Sequence, residues 1–454
     1  MDWKTQKVLV AGSGKSGIGA TDLLKKVGAE VIIYDGNDKL KEEDVLNKLE
    51  NKEDVKVILG ELEDSVINEI DIMVLSPGIA IDAPFVLRVK EAGVPIWGEI
   101  ELAYVIGKGK LAAITGTNGK TTTTALVGEI MANYYDKVDV VGNIGNPFTT
   151  TAFDSTDDTV TVAEISSFQL ETIHTFKPDV SAVLNITPDH LNRHYTMECY
   201  TDVKMSIAKN QDSNQPIVLN YEDPILREYA GKLTNRIIWF SSKQKVNPGV
   251  YLEGKNIIYA DGKKETFVTT TEDTTLVGIH NVENIMAAIA ISINMDVPVD
   301  IIRETIRKFK AVPHRIEYVE TINDVIYYND SKGTNTDASI KAIEAMSRPT
   351  ILIAGGYDKK VSFDDWAEAF GDKVKCLVLL GQTAEQIADT VKKHGFTNII
   401  FTESLKEAVV ECAKNAKPGD AVLLSPACAS WGMFDNYEQR GDMFKEYVRA
   451  MCEK

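Results

Sequence analysis

The chain has 454 residues, more than one ordinary hydrophobic core accommodates, and at about 150 residues per domain this length predicts about three domains. Its 49 Lys and Arg residues against 67 Asp and Glu residues give a formal charge of −18. This charge excludes a general nucleic-acid binder, because such proteins hold phosphates with cationic side chains. The 44% hydrophobic and 26% charged fractions are typical of a globular protein and exclude a disordered chain.

The sequence contains no apolar run of the ~18 residues that a membrane-spanning helix needs. Its first residues also lack the basic, apolar and small-residue regions of a secretory signal. We therefore expect a cytoplasmic protein without membrane insertion. The five cysteines are widely spaced and form no CxxC pair, which predicts reduced thiols rather than disulfides or a zinc site.

Short runs rich in Val, Ile and Leu alternate with longer amphipathic stretches, and this pattern predicts βαβ units with parallel sheets. The predicted strands, in chain order, are residues 7–11, 31–35, 72–76, 111–115, 161–164, 180–185, 351–354, 377–380 and 421–425. Residues 250–270 differ, because Glu-Gly and Asp-Gly steps there predict a small antiparallel meander. Most predicted strands run into Gly, Ser or Thr, at the carboxyl ends where open α/β sheets bind ligands.

The first glycine-rich segment, Gly12 to Gly17, matches G-x-G-x-x-G between a predicted strand and a predicted helix. Asp35 ends the next predicted strand, as in dinucleotide-binding folds. Backbone amides and a helix N-terminus at such a loop bind a diphosphate. On this motif alone, NAD(P) and another nucleotide diphosphate are both open, and a tight turn that binds nothing is the third possibility.

The second glycine-rich segment, Gly116-Thr117-Asn118-Gly119-Lys120-Thr121-Thr122, follows a predicted strand and resembles a Walker A loop. In such a loop amides cradle phosphates, the lysine reaches the β and γ oxygens, and the next hydroxyl ligates Mg²⁺. The spacing is tighter than G-x-x-x-x-G-K-[ST], which would place a glycine at Ile114. We interpret the segment as an ATP or GTP site.

The same loop resembles that of the Mur ligases and their relatives, the folylpolyglutamate synthetases. Further motifs extend the resemblance in order along essentially the whole chain, at residues 164–170, 185–194, 200–204, 280–284 and 313–315. Residues 329–335 and 425–431, followed by Phe434, Asn436, Tyr437, Arg440 and Gly441, resemble the branch of the family that uses D-glutamate.

The resemblance implies an α/β protein with three domains. These are a Rossmann-like UDP-sugar-binding domain (residues 1–97), a central P-loop ATPase-like domain with a mostly parallel sheet and the small meander (98–311), and a C-terminal Rossmann-like amino-acid-binding domain (312–454). It also implies an ATP-dependent ligase of peptidoglycan precursor synthesis that joins D-glutamate to UDP-N-acetylmuramoyl-L-alanine through an acyl phosphate. We expect a monomer.

Other functions explain part of the sequence. A sister ligase with a different amino acid, or a folylpolyglutamate synthetase, shares the central motifs but not the segments at 329–335 and 425–431. A P-loop nucleotide switch or an NAD-dependent oxidoreductase accounts for one glycine loop each, and neither accounts for both loops together with the C-terminal segments.

The resemblance implies a role for individual residues. ATP would be bound by Gly116, Thr117, Asn118, Gly119, Lys120, Thr121, Thr122, Asn281, Asn284, Arg315 and Asp330. The UDP-sugar would be bound by Ser13, Gly14, Lys15, Ser16, Asp35, Asn37, Ser76, Asn143 and His190. D-Glutamate would be bound by Thr334, Lys359, Ser430 and Tyr437, with Lys360 as a near-equivalent of Lys359. Two Mg²⁺ ions would be held by Thr121, Glu164, His190 and Lys204. The catalytic set would be Lys120, His190, Lys204 and Lys332.

Lys204 is implied to carry a CO₂-derived carbamate. A solvated lysine is the ordinary alternative, and a free ammonium would be repelled by Mg²⁺. Carbamylation turns the cation into an oxygen ligand and requires a lowered lysine pKa, which burial or nearby cations provide. In the first domain, Gly36 and Asn37 follow Asp35 where relatives place a Thr-Arg pair, so the resemblance does not define the individual contacts to uracil.

Overall fold

The computed structural model describes residues 1–143, 145–274, 276–310, 312–358 and 361–452. The chain is α/β, as the sequence predicts, and it forms two compact units. The first comprises Met1–Asp273 with Glu283–Lys308, and the second comprises Thr274–Val282 with Phe309–Lys454. Two sheets lie in the first unit and one in the second.

The N-terminal sheet is parallel throughout and has the order β3-β2-β1-β4-β5. Its strands are β1 Lys7–Ala11, β2 Glu30–Asp35, β3 Val55–Leu59, β4 Ile72–Leu75 and β5 Ile96–Gly98. Its helices are α1 Lys15–Val27, α2 Glu42–Leu46, α3 Asp64–Ile67, α4 Pro84–Glu91 and α5 Glu99–Ile106. The strand order reverses direction at β1, so the loop after β1 lies at a switch point where such sheets bind ligands.

The central sheet has the order β14-β13-β12-β11-β10-β9-β6-β8-β7. Its strands are β6 Lys110–Thr115, β7 Val138–Gly142, β8 Val160–Glu164, β9 Val180–Val183, β10 Pro216–Asn220, β11 Arg236–Ser241, β12 Gly249–Glu253, β13 Asn256–Ala260 and β14 Glu265–Thr270. The helices in this part of the chain are α6 Lys120–Ala132, α7 Thr149–Ala152, α8 Ser167–Leu170, α9 Leu191–His194, α10 Met197–Met205, α11 Pro224–Ala230, α12 Ile279–Asn294 and α13 Val299–Lys308. Strands β12 to β14 pair antiparallel and the others parallel, which confirms the predicted meander.

The N-terminal and central sheets share one apolar core. A single cluster of buried side chains includes Val8 and Val74 of the first sheet, Ile100 of α5, and Ala113 and Val183 of the central sheet. This continuous packing explains why both sheets belong to one compact unit. The boundaries at residues 97 and 311 stay predictions.

The third sheet has the order β15-β16-β20-β17-β18-β19, antiparallel at β15 and parallel elsewhere. Its strands are β15 Glu317–Ile322, β16 Val325–Asn329, β17 Thr350–Ala354, β18 Val374–Leu379, β19 Ile399–Phe401 and β20 Ala421–Leu424. Its helices are α14 Thr336–Ala345, α15 Asp364–Glu368, α16 Ala384–Lys393, α17 Leu405–Asn415 and α18 Tyr437–Arg449. Alternate residues of β17 pack into two separate clusters, so both faces of this sheet are buried.

Within the described ranges, every helix is too short or too polar to cross a lipid bilayer.

Candidate active site

The loop after β1 is held by Asp35 at the end of β2. One carboxylate oxygen of Asp35, Oδ2, accepts hydrogen bonds from the Ser13 amide at 3.0 Å and the Ser13 hydroxyl at 2.6 Å. The other, Oδ1, accepts from the Asn37 amide at 3.1 Å. Burial alone would raise the pKa of Asp35, but these hydrogen bonds outweigh burial and lower it. Asp35 is therefore an ionised anchor for the glycine loop.

The same loop lines a cavity of about 660 Å³. The lining residues are Gly12, Ser13, Gly14, Lys15, Ser16, Tyr34, Asp35, Gly36, Asn37, Ser76, Pro77, Gly78, Ile79 and Phe85. The Ser76 hydroxyl is buried and has no hydrogen-bond partner within the described ranges, so it is available to a ligand. Gly17 packs so closely on the loop that an added Cβ would lie 1.8 Å from the Gly12 carbonyl oxygen, which explains the glycine at this position.

Seven of the residues predicted to bind the UDP-sugar line this cavity, and two do not. Asn143 lies at the end of β7, where its side-chain amide donates to Glu164 Oε1 at 2.8 Å. His190 precedes α9 and its ring packs edge-on against Phe168, with 4.8 Å between centroids. Asn143 and His190 both follow strands of the central sheet. A UDP-sugar bound in the cavity would contact them only if it extended from the cavity to that sheet.

The P-loop connects β6 to α6. Gly116 and Gly119 have φ values of +147° and +84°, which glycine adopts without strain. The Lys120 ammonium donates to the carbonyl oxygens of Gly116 and Thr117, both at 2.8 Å. Helix α6 begins at Lys120, so its first-turn amides open toward the loop, as a phosphate site requires.

Two asparagines from distant segments hold this loop. Asn185, just beyond β9, accepts from the Asn118 amide at 2.8 Å and donates to the Asn118 carbonyl at 3.0 Å. Asn284 of α12 lies against Gly119, since an added Cβ there would be 2.2 Å from its Oδ1. The structure thus brings Asn284 to the P-loop; a role in adenine binding stays a prediction. Asn281, on the same helix, donates to the Val277 carbonyl at 2.7 Å.

Glu164 ends β8, the neighbour of the P-loop strand β6. The residue is 1% exposed. Oxygen Oε1 accepts from Asn143, whereas Oε2 is buried without a hydrogen-bond partner among the described residues. A buried carboxylate oxygen of this kind is costly unless it binds a proton or a cation, and oxygen is the donor that Mg²⁺ prefers. The residues present therefore fit a Mg²⁺ ion beside Glu164.

Lys204 of α10 is 2% exposed, which excludes the solvated lysine. Its Nζ donates to the Gly116 carbonyl at 2.8 Å and lies 4.8 Å from the centroid of the Tyr200 ring. Burial, followed by the positive charge of Lys120, lowers the pKa of Lys204 well below its ordinary value, although Asp189 and Glu164 oppose this shift. The buried amine at the P-loop therefore loses its proton more readily than an exposed lysine does.

His190 lies in a strained turn beside this site. Its φ is +53°, its amide donates to Asp189 Oδ1 at 2.9 Å, and its Nε2 lies 3.5 Å from Asp189 Oδ2. The nearby His194 is buried against Ser167, with 3.0 Å between Nε2 and Oγ. Burial, helped by the charges of Arg193, His190 and Lys204, lowers the pKa of His194 to about 4, so it is a neutral packing residue.

The second unit holds a polar cluster at the carboxyl ends of β16 and β20. Asp330 is buried, accepting from the Ser425 hydroxyl at 2.7 Å and the Ile316 amide at 3.3 Å. Burial raises the pKa of Asp330 to about 7, against the opposing effects of Ser425 and Arg315. The Arg315 Nε is buried without a hydrogen-bond partner in the described part of the chain, a cationic donor suited to an anionic ligand.

Three of the four residues predicted to bind D-glutamate lie on segments that the second unit ties together. Gly333, next to Thr334, accepts from the Ala427 amide at 3.0 Å. Arg440 of α18 donates to the Ser331 carbonyl at 2.7 Å and to the Cys428 carbonyl at 3.3 Å. These bonds link α18 to the loop after β16 and to the loop after β20. Tyr437 begins α18, and Lys332 Nζ lies 5.4 Å from its ring centroid. Ser430 is buried. Lys359 and its alternative Lys360 lie outside the described residues.

Sequence reasoning missed several residues of these sites. Tyr34 and Phe85 form an edge-on aromatic pair in the cavity, with centroids 4.9 Å apart. The sequence could have indicated Asn185, because this residue follows β9, which pairs with the P-loop strand β6. For Arg193 the sequence does not indicate the contact with the cavity loop, since Pro77 and Ile79 lie more than a hundred residues away in the chain. Taken together, the first unit combines a cavity lined by a glycine-rich loop, a P-loop, a buried carboxylate and a buried lysine whose pKa is lowered.

Three family models match the chain in order. They are the Mur ligase MurD-like N-terminal domain over residues 6–98, the Mur ligase middle domain over 114–292, and the Mur ligase glutamate ligase domain over 314–428.

Similar sequences and folds agree with these models. The chain is 58% identical to a UDP-N-acetylmuramoylalanine–D-glutamate ligase of Lachnospira eligens and 47% identical to that of Clostridioides difficile, each over 99% of this chain and 100% of the relative. Among solved structures, a pseudomurein peptide ligase type C from Methanothermus fervidus has a TM-score of 0.62 at 18% identity, covering 98% of this chain and 100% of that one. The UDP-N-acetylmuramate–alanine ligase of Thermotoga maritima has a TM-score of 0.61 at 18% identity, covering 99% and 100%. These structures show the same fold.

Proposed function

The chain belongs to the Mur ligase family, and we propose that it is the ATP-dependent ligase that joins D-glutamate to UDP-N-acetylmuramoyl-L-alanine in peptidoglycan precursor synthesis. The observation that carries the proposal is the end-to-end match at 58% identity to a ligase of that name. The sites of the first unit support it, because the two nucleotides of the reaction need two phosphate-binding loops, one after β1 and one after β6.

The cavity beside β1 suits the UDP-sugar. Its loop amides and the N-terminus of α1 favour a diphosphate, and the buried Ser76 hydroxyl supplies a further hydrogen-bonding group. The backbone, rather than cationic side chains, carries most of this recognition, which reconciles phosphate binding with a net charge of −18.

The proposed reaction needs activation, because a carboxylate is a poor electrophile. The alanyl carboxylate of the UDP-sugar attacks the γ-phosphate of ATP, forming an acyl phosphate and releasing ADP. The amine of D-glutamate then attacks the acyl carbon, the bond to phosphate breaks, and the amine proton leaves. The chain contributes mainly by positioning two anions that repel each other and by stabilising the charge that spreads over the transferred group.

Each residue of the P-loop region has a task in this scheme. The amides of Gly119 and Lys120 hold the phosphates, and the Lys120 ammonium balances charge at the transferred group. Thr121 and Glu164 would hold Mg²⁺, together with His190 and a modified Lys204; when bound, the ion would neutralise phosphate charge. Arg315, Asp330 and Lys332 stay predictions for nucleotide contacts, as Thr334, Ser430 and Tyr437 do for D-glutamate.

Carbamylation of Lys204 is part of the proposal. The neutral amine attacks the carbon of CO₂, a nitrogen–carbon bond forms, and one amine proton is lost. The remaining N–H can keep the hydrogen bond to the Gly116 carbonyl, now 2.8 Å long. The lowered pKa of Lys204 supports the step, because only the unprotonated amine reacts. A carbamate carbon signal in NMR with ¹³C-bicarbonate, absent in Lys204→Met, tests it; normal activity of Lys204→Ala would contradict it.

The decisive experiment measures phosphate release with ATP, Mg²⁺ and UDP-N-acetylmuramoyl-L-alanine. D-Glutamate should support turnover, whereas L-glutamate, L-lysine and meso-diaminopimelate should not. Turnover with one of the other amino acids would assign the chain to a sister activity. Lys120→Ala should suppress phosphate release while leaving UDP binding within about twofold of the unmodified protein, since Lys120 bonds to the Gly116 and Thr117 carbonyls of the P-loop and does not line the cavity beside β1. Normal turnover by this variant would refute the P-loop assignment.

A further inference from the structure

Arg193 links the wall of the nucleotide-sugar cavity to the segment that carries His190. It lies on α9, three residues beyond His190, and its side chain is 13% exposed. Its Nη1 donates to the Pro77 carbonyl at 2.8 Å and its Nη2 donates to the Ile79 carbonyl at 2.9 Å. Both carbonyls belong to the loop after β4 that lines the cavity.

The same guanidinium is fixed from the central sheet side. Glu171, whose side chain is 4% exposed, accepts from Arg193 Nε at 3.3 Å and forms an ion pair with Nη2. The guanidinium carbon lies 4.2 Å from the centroid of the Phe168 ring. That ring is edge-on to His190 at 4.8 Å and stacked on His194 at 5.5 Å. One side chain therefore contacts the cavity loop, a buried carboxylate and the ring that supports His190.

Arg193 makes more contacts than a surface ion pair does, because its guanidinium bonds to three acceptors. Arg193 directs its planar fork at two carbonyls and one carboxylate, and charge-assisted hydrogen bonds of this kind are strong and directional. Backbone bonds hold this loop mainly at its start and end: the Ser76 amide donates to the Ala11 carbonyl and the Ile79 amide to the Ser76 carbonyl, both at 3.0 Å, whereas Pro77 has no amide hydrogen. A lysine in place of Arg193 could not reach all three acceptors.

We propose that Arg193 is a positioning residue, which fixes the loop of Ser76 to Ile79 relative to the segment that carries His190. The UDP-sugar would then bind with its carboxylate directed to the P-loop. The inference rests on the proposed function for the identity of the substrate. Arg193 acts through the loop and through Phe168 and makes no catalytic contact of its own.

The variants Arg193→Lys and Arg193→Ala test this role, with Arg303→Ala as a matched control. Arg303 of α13 makes the same three kinds of contact away from the cavity, to the Val268 carbonyl and the Phe267 ring of β14 and to the Asp300 carboxylate of its own helix. A residue that only stabilises the fold would lower the amount of active protein without changing one KM selectively.

We expect Arg193→Ala to raise the KM for the UDP-sugar about 10- to 100-fold while the KM for ATP and D-glutamate changes less than about twofold. Arg193→Lys should recover part of this loss, because it retains the charge near Glu171. Arg303→Ala should leave all three KM values unchanged. Equal changes in all three KM values, or none, in Arg193→Ala would overturn the inference.

Calorimetric titration with UDP alone separates this inference from the proposed function, because it needs no turnover. The affinity for UDP should fall about 10-fold in Arg193→Ala and stay unchanged in Arg303→Ala, while binding of a non-hydrolysable ATP analogue is unaffected in both. Unchanged UDP affinity in Arg193→Ala overturns the positioning role. Failure of the unmodified protein to release phosphate with D-glutamate overturns the proposed function instead.

Discussion

Replacing Gly119 by alanine should damage the P-loop in two separable ways. The residue has a φ of +84°, where an L side chain costs about 1–2 kcal/mol. The added Cβ would also lie 2.2 Å from Asn284 Oδ1, well inside van der Waals contact, so the Asn284 side chain must move. Overpacking of this kind costs about 1–3 kcal/mol. We expect Gly119→Ala to lower the free energy of unfolding by about 2–5 kcal/mol.

Gly262→Ala is the matched control for backbone strain. Gly262 has a φ of +96°, and an added Cβ there meets no atom within 4 Å. Gly262→Ala should therefore lower the free energy of unfolding by only about 1–2 kcal/mol. Both variants gain equally from the smaller conformational entropy of the unfolded chain, so this effect cancels in the comparison. The difference between their free energies of unfolding therefore measures the cost of the contact with Asn284.

Urea unfolding of the full chain and calorimetry with a non-hydrolysable ATP analogue measure the two effects. Because Asn284 is pushed away from the P-loop, nucleotide affinity should fall about 10-fold or more in Gly119→Ala, equivalent to ~1.4 kcal/mol, and stay constant in Gly262→Ala. If the two variants unfold at the same free energy and bind the nucleotide equally well, the close packing of Asn284 on Gly119 is not a feature of the protein in solution.

Three further predictions concern buried charges. Burial raises the pKa of Glu99 to about 7, so the folded state holds a proton that the unfolded state releases near pH 4.5, and stability falls as the pH rises through this window. Glu99→Gln should therefore be more stable than the unmodified protein at pH 8, by up to about 3 kcal/mol, and equally stable below pH 4.5; a constant difference in urea unfolding across that range would contradict this. Glu164→Gln removes the carboxylate charge whose Oε2 has no hydrogen-bond partner among the described residues, so Mg²⁺ should raise the melting temperature of the unmodified protein with ATP but not that of the variant; equal shifts would exclude Glu164 as a ligand. Arg440→Ala should cost about 3–5 kcal/mol in urea unfolding, because the buried guanidinium joins the Ser331 and Cys428 segments, and a loss below about 1 kcal/mol would show that these bonds contribute little.

The elements that the sequence predicted depend on local pattern. Every predicted strand is present with bounds that differ by only a few residues, because continuous Val, Ile and Leu runs between turns need burial on both faces of a sheet wherever they lie. The two glycine loops could also be predicted from local pattern. Gly12 and Gly119 both have a positive φ, which backbone geometry alone favours at glycine.

Tertiary structure decided the properties that depend on distant partners. Lys204 looks like a solvated lysine in sequence, yet it is buried against the Gly116 carbonyl, and the lowered pKa follows from that burial. The three family models confirm the three predicted domains, but only the folded structure shows that one apolar cluster joins the first two sheets. Arg193 acquires its partners Pro77 and Ile79 only when those sheets pack together. Local backbone geometry and hydrophobic periodicity can be read along the chain, but burial and charge pairing are set by segments that meet only in the folded protein.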